Sequence, residues 1–352
     1  NIKKELTYEL TTDQTNALNE INNDLKSEEK MFRLLQGDVG SGKTIIALIS
    51  CFNVVNSGYQ VAFMAPTEIL AYQHYKLAQS LIKDKMKIGF LTSKTDYSER
   101  KKIINDLETS KLNILFGTHS VFQEKISYNK LGLVVIDEQH KFGVKQRKKL
   151  SDKGGKNCDV LVMSATPIPR TMMLTIYGDM DVSKIVEKPL NRKDIITLSK
   201  PEEKLDQIIL FIKKLIKQKD QIFWVCPLID ESKILNYSSV IKRFKLVEKF
   251  FPNRVGLIHG SMDKKDKEDV LKEFLNKRID ILLSTTVIEV GIDFPNATLI
   301  VIENANKFGL AQLHQLRGRV GRGKKQGTCI LVFKGNLSKN AIRRINILKK
   351  NN

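Results

Sequence analysis

The residues with the most specific chemistry lie at positions 37–44, which read Gly-Asp-Val-Gly-Ser-Gly-Lys-Thr and fit the pattern G-x-x-x-x-G-K-[ST]. Glycines in this register let backbone N–H groups turn toward phosphate oxygens, Lys43 supplies a cation to the β- and γ-phosphates, and Thr44 offers a hydroxyl to Mg²⁺. An apolar stretch at 31–35 precedes the loop and a helix-like run at 45–55 follows it, which favours phosphate binding over an exposed glycine turn. We therefore predict a nucleotide triphosphatase. The predicted nucleotide-binding residues of the loop are Gly37, Asp38, Val39, Gly40, Ser41, Gly42, Lys43 and Thr44.

An apolar strand at 133–136 ends in a pair of acids, Asp137 and Glu138. Open α/β sheets carry their functional groups at the carboxyl ends of the strands. We predict that Asp137, together with Thr44, holds Mg²⁺, and that Glu138 orients and deprotonates the attacking water. The alternative, in which the two acids cap a helix, is disfavoured by the phosphate loop upstream. The predicted catalytic residues in this half are Lys43, Glu138, Gln139 and His140.

Short apolar strands alternate with amphipathic helical stretches in both halves of the chain. In the first half the predicted strands are 61–65, 114–116, 133–136 and 160–163, and the predicted helices are 70–81 and 97–107. In the second half we predict helices at 202–217 and 264–276, and strands at 222–226, 255–259, 281–284, 299–302 and 329–333. Near-continuous runs of Val, Ile and Leu favour parallel sheets covered by helices. A polar stretch with two prolines at 186–204 is the predicted linker.

The length and composition predict a two-domain globular protein. The chain has 352 residues, with 41% hydrophobic and 28% charged residues. No apolar run approaches the roughly 20 residues that span a bilayer. Because the chain begins with Asn1 and shows no secretory signal, we expect a cytoplasmic fragment. The four cysteines are widely scattered and are expected to be reduced core residues.

The charge of the chain predicts a polyanionic partner. A net charge of +20 attracts nucleic acid, ribosomes or acidic membrane surfaces. A lysine-rich composition can also reflect a biased genome, so charge alone leaves the partner open.

The order of the motifs resembles that of superfamily 2 helicases and translocases. Ser-Ala-Thr at 164–166 follows the phosphate loop and the Asp-Glu-Gln-His motif, as in the first motor domain of that superfamily. In the second half, residues 315–323 read Gln-Leu-Arg-Gly-Arg-Val-Gly-Arg-Gly and resemble its Q-x-x-G-R-x-G-R motif. The resemblance implies that Arg322 and then Arg319 act as arginine fingers, which are worth about 10³- to 10⁵-fold in rate where fingers have been measured. The alternative is a basic glycine turn. Gly291 and Asp293 belong by resemblance to the motif that couples the second domain to nucleotide and strand.

Further contacts are implied by the same resemblance. Loops at strand ends, where small and hydroxyl residues let backbone amides approach phosphates, are predicted to bind nucleic acid, although each could equally be an ordinary turn or cap. Near the N-terminus, Gln14 is predicted to hydrogen-bond the adenine base, with a helix cap at Thr11 or Thr12 as the alternative. The predicted nucleic-acid contacts are Pro66, Thr67, Gly117, Thr118, His119, His259, Gly260, Ser284, Thr285 and Thr286.

Longer strings narrow the resemblance to RecG. They lie at 34–44, 65–71, 137–144 and 165–171, with support from 177–183 and 225–232, and cover nearly the whole chain. The transcription-repair coupling translocase Mfd, which typically has Glu at the position of Gln139, is the alternative within this class. Lys141 stands where these proteins usually have Arg, which keeps the charge and loses the planar fork.

The RecG resemblance implies an α/β fold of two tandem RecA-like domains, 1–188 and 189–352. Each is a mostly parallel sheet with helices on both faces, and the nucleotide site lies in the cleft between them. It implies ATP and Mg²⁺ as cofactors and branched duplex DNA, replication forks and Holliday junctions as partners, and we expect a monomer. We expect only the motor core, without the N-terminal wedge domain and the C-terminal coupling motif.

Three other functions stay open from the sequence. A non-hydrolysing nucleic-acid clamp would bind DNA in a salt-sensitive way without turnover. An RNA helicase shares the motor layout, and no motif here reports the 2′-hydroxyl. A small-molecule kinase with a phosphate loop explains neither the arginine motif nor the second domain.

Overall fold

The computed structural model divides into two compact units, Asn1–Leu190 and Asn191–Asn352. It describes residues 9–38, 40–82, 86–123, 125–137, 158–164, 180–187, 194–227, 233–285, 294, 296–321, 325–335 and 337–350.

The first unit is built on a seven-stranded sheet with the strand order β3-β4-β2-β5-β6-β1-β7. Every described strand pair in it is parallel. Its helices are α1 (Thr12–Asp24), α2 (Lys43–Asn56), α3 (Glu68–Ile82) and α4 (Tyr97–Glu108). Its strands are β1 (Phe32–Gly37), β2 (Gln60–Met64), β3 (Ile88–Leu91), β4 (Ile114–Gly117), β5 (Leu131–Asp137), β6 (Asp159–Ser164) and β7 (Asp181–Ile185).

The second unit is built on a six-stranded sheet with the order β10-β11-β9-β12-β13-β8, again with parallel pairs throughout the described part. Its helices are α5 (Leu205–Lys217), α6 (Lys233–Phe250), α7 (Lys264–Leu275), α8 (Leu310–Arg317) and α9 (Lys339–Lys350). Its strands are β8 (Ile196–Pro201), β9 (Gln221–Cys226), β10 (Val255–Ile258), β11 (Ile281–Thr285), β12 (Ala297–Ile302) and β13 (Thr328–Phe333).

Helices cover both faces of each sheet, which confirms the predicted fold class. In the first unit, α1, α2 and α3 bury one face and α4 buries the other. In the second unit, α5 and α6 pack on one face, around Trp224. On the other face, Phe274 of α7 meets Phe294, which contacts Phe223 of β9. The inner strands β2, β4, β9, β11 and β12 are buried on both faces, so their sequences read as continuous apolar runs rather than alternating ones.

The predicted linker at 186–204 is wrong over its second part. Residues 196–201 form β8, which pairs with β13 at the edge of the second sheet, and residues 202–204 form a 3₁₀ turn. An edge strand needs less apolar surface and tolerates proline at its end. The polar Thr197 is buried while Ile196 and Leu198 are exposed, so the strand lacks the apolar signature used for the others.

The two units repeat one topology. Strands β8 to β13 occupy, in the second sheet, the same positions that β1 to β6 occupy in the first. The first sheet has β7 as an additional edge strand. A buried glutamine at the start of β2 and of β9 marks the repeat. Gln60 Nε2 donates to the carbonyl oxygens of Leu107 and Leu112 at 2.9 and 2.8 Å. Gln221 Nε2 donates to those of Phe274 and Ile279 at 2.6 and 3.0 Å.

In both units the glutamine therefore joins the end of one helix to the start of the next strand. The amide supplies donors to buried carbonyl groups that water cannot reach, and an unpaired buried acceptor costs about 1–3 kcal/mol.

The cysteines have the predicted character. All four are buried and free. Burial raises the pKa of the Cys158 and Cys329 thiols to about 12, so neither carries thiolate at neutral pH. None of the helices that the structure describes combines the length and the apolar surface needed to cross a membrane.

Substituting Gln221→Leu is expected to lower the unfolding free energy of the second unit by about 2 kcal/mol, because two buried carbonyl oxygens lose their donor. The single tryptophan, Trp224, is fully buried in this unit, so its fluorescence during urea unfolding reports the change. Gln207→Leu, on the exposed face of α5, is the control and is expected to change the value by less than about 0.5 kcal/mol. Equal losses in the two variants would contradict the role given to Gln221.

Candidate nucleotide and metal site

Three neighbouring strands of the first sheet end in the residues predicted to do chemistry. β6 lies between β1 and β5, so the phosphate loop after β1, Ser164 at the end of β6 and Asp137 at the end of β5 share one edge. The register supports this placement, because Gln36 pairs with Ser164 and Asp137 pairs with Met163. Parallel strands place their carboxyl ends at the same edge of the sheet, so the strand order alone brings the phosphate loop, Ser164 and Asp137 to one edge.

The backbone of the phosphate loop needs its glycines. Gly40 and Gly42 have φ angles of 83° and 91°, in the left-handed region that other residues rarely adopt. At Gly37, a Cβ would lie 2.6 Å from Ser41 Oγ and 2.8 Å from the Ile185 carbonyl oxygen, so the close approach of β7 excludes a side chain. Val39 lies outside the described residues.

The polar groups of the loop fit a phosphate chain. Lys43 Nζ donates to the carbonyl oxygens of Gly37 and Asp38 at 2.6 and 2.9 Å, which holds the ammonium over the loop. Helix α2 begins after Gly42 without a side-chain cap, so its first N–H groups and its positive dipole end suit an anion. Ser41 Oγ is buried and has no hydrogen-bond partner among the described residues. Such a donor is satisfied when a phosphate oxygen arrives.

Asp137, which is predicted to hold Mg²⁺ with Thr44, lies at the carboxyl end of β5. It is buried, and its Oδ2 lies 2.7 Å from His74 Nε2 on α3. Among the residues that the structure describes, no three His, Cys, Asp or Glu side chains cluster as a metal site would need. Mg²⁺ takes most of its ligands from phosphate and water, so a carboxylate and a hydroxyl are the donors that its site would need from the protein. Sequence reasoning missed His74, since nothing in the sequence links positions 74 and 137.

Gln14 combines the cap and a contact with the phosphate loop. Thr11 caps α1, and the Thr11 N–H donates to Gln14 Oε1 at 3.0 Å while the Gln14 N–H donates to Thr11 Oγ1 at 3.3 Å. Gln14 Nε2 donates to the Ser41 carbonyl oxygen at 2.8 Å, and the side chain is buried. The helix cap at Thr11, the alternative to adenine binding, is present in the structure. The contact with adenine stays a prediction for a side chain that already fixes the loop.

The predicted nucleic-acid contacts of the first unit follow β2 and β4. Thr67 is buried and its Oγ1 accepts a hydrogen bond from the Leu70 N–H, so it caps the first turn of α3, while Pro66 is half-buried. Gly117 ends β4 so close to the Leu91 carbonyl oxygen that a side chain is excluded. Thr118 and His119 start a 3₁₀ turn, and partial burial lowers the pKa of His119. These positions have structural reasons for their residue types, and their contacts with nucleic acid stay predictions.

In the second unit the predicted contacts follow β10 and β11. Gly260 is exposed and its carbonyl oxygen accepts a hydrogen bond from Lys267 Nζ at 3.0 Å. Burial and Lys267 lower the pKa of the neighbouring His259. Ser284 and Thr285 are buried at the end of β11. The predicted residues that lie outside the described part of the chain are Val39, Glu138, Gln139, His140, Thr286, Gly291, Asp293 and Arg322.

Arg319 is buried in the turn that follows α8, in the second unit. Its role as a catalytic arginine stays a prediction.

The second unit carries acids at the two positions that correspond to the site. Following the paired registers of the two sheets, Asp137 corresponds to Glu303 and Gly37 corresponds to Glu202. Arg243 of α6 joins these acids, with its Nε 2.6 Å from Glu303 and an NH2 contact of 2.7 Å to Glu202. Trp224 Nε1 also donates to Glu303 at 2.8 Å.

This cluster lies at the positions that carry the phosphate loop and Asp137 in the first unit. Glu202 takes the place of Gly37, the first residue of the loop. Burial raises the pKa of the Glu303 carboxyl, against the attraction of Arg243. Sequence reasoning missed the cluster, because its members become neighbours only through the strand register.

Comparison with known proteins decides the family. The DEAD/DEAH box helicase family matches residues 11–174, and the helicase conserved C-terminal domain matches residues 202–324. An ATP-dependent DNA helicase RecG from Thermotoga maritima is 46% identical over 99% of this chain and 45% of its own length. One from Aquifex aeolicus is 48% identical over 94% of this chain and 42% of its own length. A structure of RecG bound to a three-way DNA junction superimposes with a TM-score of 0.87 at 41% identity, covering 99% of this chain and 46% of that one.

The chain belongs to the RecG family of helicases. It spans about half the length of the curated relatives it matches. The two helicase matches lie in the two units of the structure, and the predicted resemblance to RecG is confirmed. The relatives favour RecG over Mfd, the alternative left open by the sequence.

Substituting Gly42→Ala is expected to weaken nucleotide binding by the motor core by at least about 10-fold, because a Cβ there meets the Gln14 amide and the left-handed backbone is lost. Titration with a fluorescent ADP analogue measures the change. Gly58→Ala is the matched control, since Gly58 has a φ of 84° and no heavy atom lies within 4 Å of the position that its Cβ would take. The control should lose stability through backbone strain and keep its nucleotide affinity. Equal affinities in the two variants would contradict the geometry of the loop.

Proposed function

We propose that this motor core couples ATP hydrolysis to movement along duplex DNA and works, within the full-length protein, on stalled replication forks and branched recombination intermediates in DNA repair. The observation that carries the proposal is the shared edge of β1, β6 and β5, where a glycine-requiring loop, Lys43 and Asp137 meet. The relatives named ATP-dependent DNA helicases support the choice of reaction.

The residues of the first unit suit phosphoryl transfer, in which positioning and electrostatic stabilisation do most of the work. Backbone N–H groups of the loop and of the α2 N-terminus bind the phosphates, and Lys43 neutralises their charge. Thr44 and Asp137 would hold Mg²⁺, which would supply positive charge to neutralise the phosphates. We assign the catalytic water to Glu138, with Gln139 and His140 beside it in the chain.

The proposed partner is DNA gripped through its backbone. The net charge of +20 favours a polyanion, and the loops that follow β2, β4, β10 and β11 offer hydroxyl groups, imidazoles and close backbone at strand ends. The solved relative is bound to a three-way DNA junction. We infer the same class of partner here, including forks and Holliday junctions, and we place the protein in the cytoplasm as a monomer.

Structural similarity to RNA-bound proteins does not support the alternative function of an RNA helicase. A structure of yeast Dbp5 bound to RNA superimposes with a TM-score of 0.67 at 17% identity, which shows a shared fold and leaves the substrate open. The more similar relatives are named as DNA helicases.

Substituting Lys43→Ala is expected to reduce ATP turnover by about 10²- to 10³-fold, because a preorganised cation at the developing charge is lost. Steady-state phosphate release, with and without branched duplex DNA, measures the effect. Lys26→Ala is the matched control, since Lys26 is exposed after α1 and before β1, at the opposite edge of the sheet. We expect the unsubstituted chain and the control to be stimulated by DNA.

Two outcomes would contradict the proposal. If duplex DNA does not change the rate of ATP hydrolysis, hydrolysis is not coupled to movement along DNA. Salt-sensitive DNA binding with no turnover by the unsubstituted chain would leave a clamp rather than a motor.

A further inference from the structure

We propose that His74 is a positioning residue for the metal ligand Asp137, holding one carboxylate oxygen so that the other faces the nucleotide and its Mg²⁺. The inference rests on the proposed nucleotide function of the first unit. It adds a residue outside every motif that predicted the site, and it assigns that residue a role in metal affinity.

The geometry joins the two side chains tightly. His74 Nε2 lies 2.7 Å from Asp137 Oδ2, and the side chains are only 7% and 10% exposed. An ionised carboxylate is solely an acceptor, so Nε2 must carry the proton and donate it. With Oδ2 engaged, Oδ1 remains for the metal or for its bound water.

The imidazole is itself fixed by packing. The His74 ring lies 5.0 Å from Phe63 of β2, and Phe63 stacks on Phe116 of β4 at 5.1 Å. Both strands lie inside the sheet, between β3 and β5, and the ring is carried by the middle of α3. A donor held this firmly fixes the χ angles of Asp137 before metal arrives, and ligands that are oriented in advance bind metal more tightly.

In the second unit, the position that corresponds to Asp137 carries an acid with a different partner. Glu303, the counterpart of Asp137 in strand register, is bound by Arg243 from α6, the helix that corresponds to α3. A guanidinium is permanently charged and would compete with Mg²⁺ for the carboxylate. Imidazole can donate an N–H while neutral, so it orients the acid and leaves its charge to the metal.

The alternative is that the pair merely stabilises the core, because a buried carboxylate without a donor is costly. The two roles differ in what they change. A purely structural contact lowers the melting temperature of any variant that weakens it. A positioning contact acts on metal affinity: the affinity falls when no donor reaches Asp137 and is kept when a donor still does.

The test compares His74→Gln with His74→Asn. The amide nitrogen of glutamine extends about as far as imidazole Nε2, while asparagine is one methylene shorter and does not reach Asp137. Tyr75→Leu is the control for softened packing, since Tyr75 neighbours His74 on α3 and contacts Phe90 and Phe116 without touching Asp137. Mn²⁺ binding in the presence of ADP, followed by electron paramagnetic resonance, is measured with the melting temperature.

We expect the Mn²⁺ dissociation constant to rise about 10-fold in His74→Asn and to stay within about 3-fold in His74→Gln, the size of effect seen for partners of metal ligands. Tyr75→Leu is expected to lose thermal stability and keep its Mn²⁺ affinity. The inference is overturned if the two His74 variants bind Mn²⁺ alike, or if the unsubstituted chain shows no ADP-dependent Mn²⁺ binding. If the chain binds Mn²⁺ with ADP but does not hydrolyse ATP, the proposed function is contradicted. The Mn²⁺ affinities of the two His74 variants would still decide the role of His74.

Discussion

The parallel direction of every described strand pair is the constraint on which the rest of the structure depends. Because parallel strands end at the same edge of a sheet, groups that are far apart in the chain become neighbours there. In the first unit this edge gathers the phosphate loop, Ser164 and Asp137. The crossover helices required by parallel strands bury both faces of the sheet, and they also supply side chains such as His74 to the same edge.

The same constraint operates in the second unit, where it brings different residues together. The two strand orders coincide, and the buried amides of Gln60 and Gln221 tie corresponding helix ends to corresponding strands. At the edge, however, Glu202 replaces the first glycine of the phosphate loop and Arg243 binds both acids. One scaffold thus carries a glycine loop at the edge of its first sheet and an ion-pair cluster at the corresponding edge of its second.

The sequence predicted the apolar core strands and the phosphate loop because each has a local signal. The buried runs at 114–116 and 133–136 are long enough to mark strands, and the glycines at 40 and 42 sit where the backbone has positive φ. β8 was missed because an edge strand can bury Thr197 and expose Ile196, which removes that signal. α1 was anticipated only through its cap at Thr11.

The contacts that refine the site were beyond prediction for a different reason. The pairs His74 with Asp137 and Arg243 with Glu303 depend on the register of strands and on which turn of a crossover helix faces the sheet edge. Neither quantity is encoded in a short string of residues. Gln14 is the clearest example. The sequence pattern predicts a hydrogen bond to adenine, whereas in this structure its side-chain amide accepts from the Thr11 N–H and donates to the Ser41 carbonyl oxygen.

Hydrogen exchange, followed by mass spectrometry, tests most directly whether the two units share a scaffold of which only the first binds nucleotide at this edge. The chain is compared with and without Mg²⁺ and a non-hydrolysable ATP analogue. We expect slower exchange in peptides that cover residues 36–46 and 131–137, at the edge of the first sheet. We expect no change in the corresponding peptide of the second sheet, residues 199–206, where Glu202 stands in place of the loop. Protection of residues 199–206, or no protection of 36–46, would contradict this division of roles between the two units.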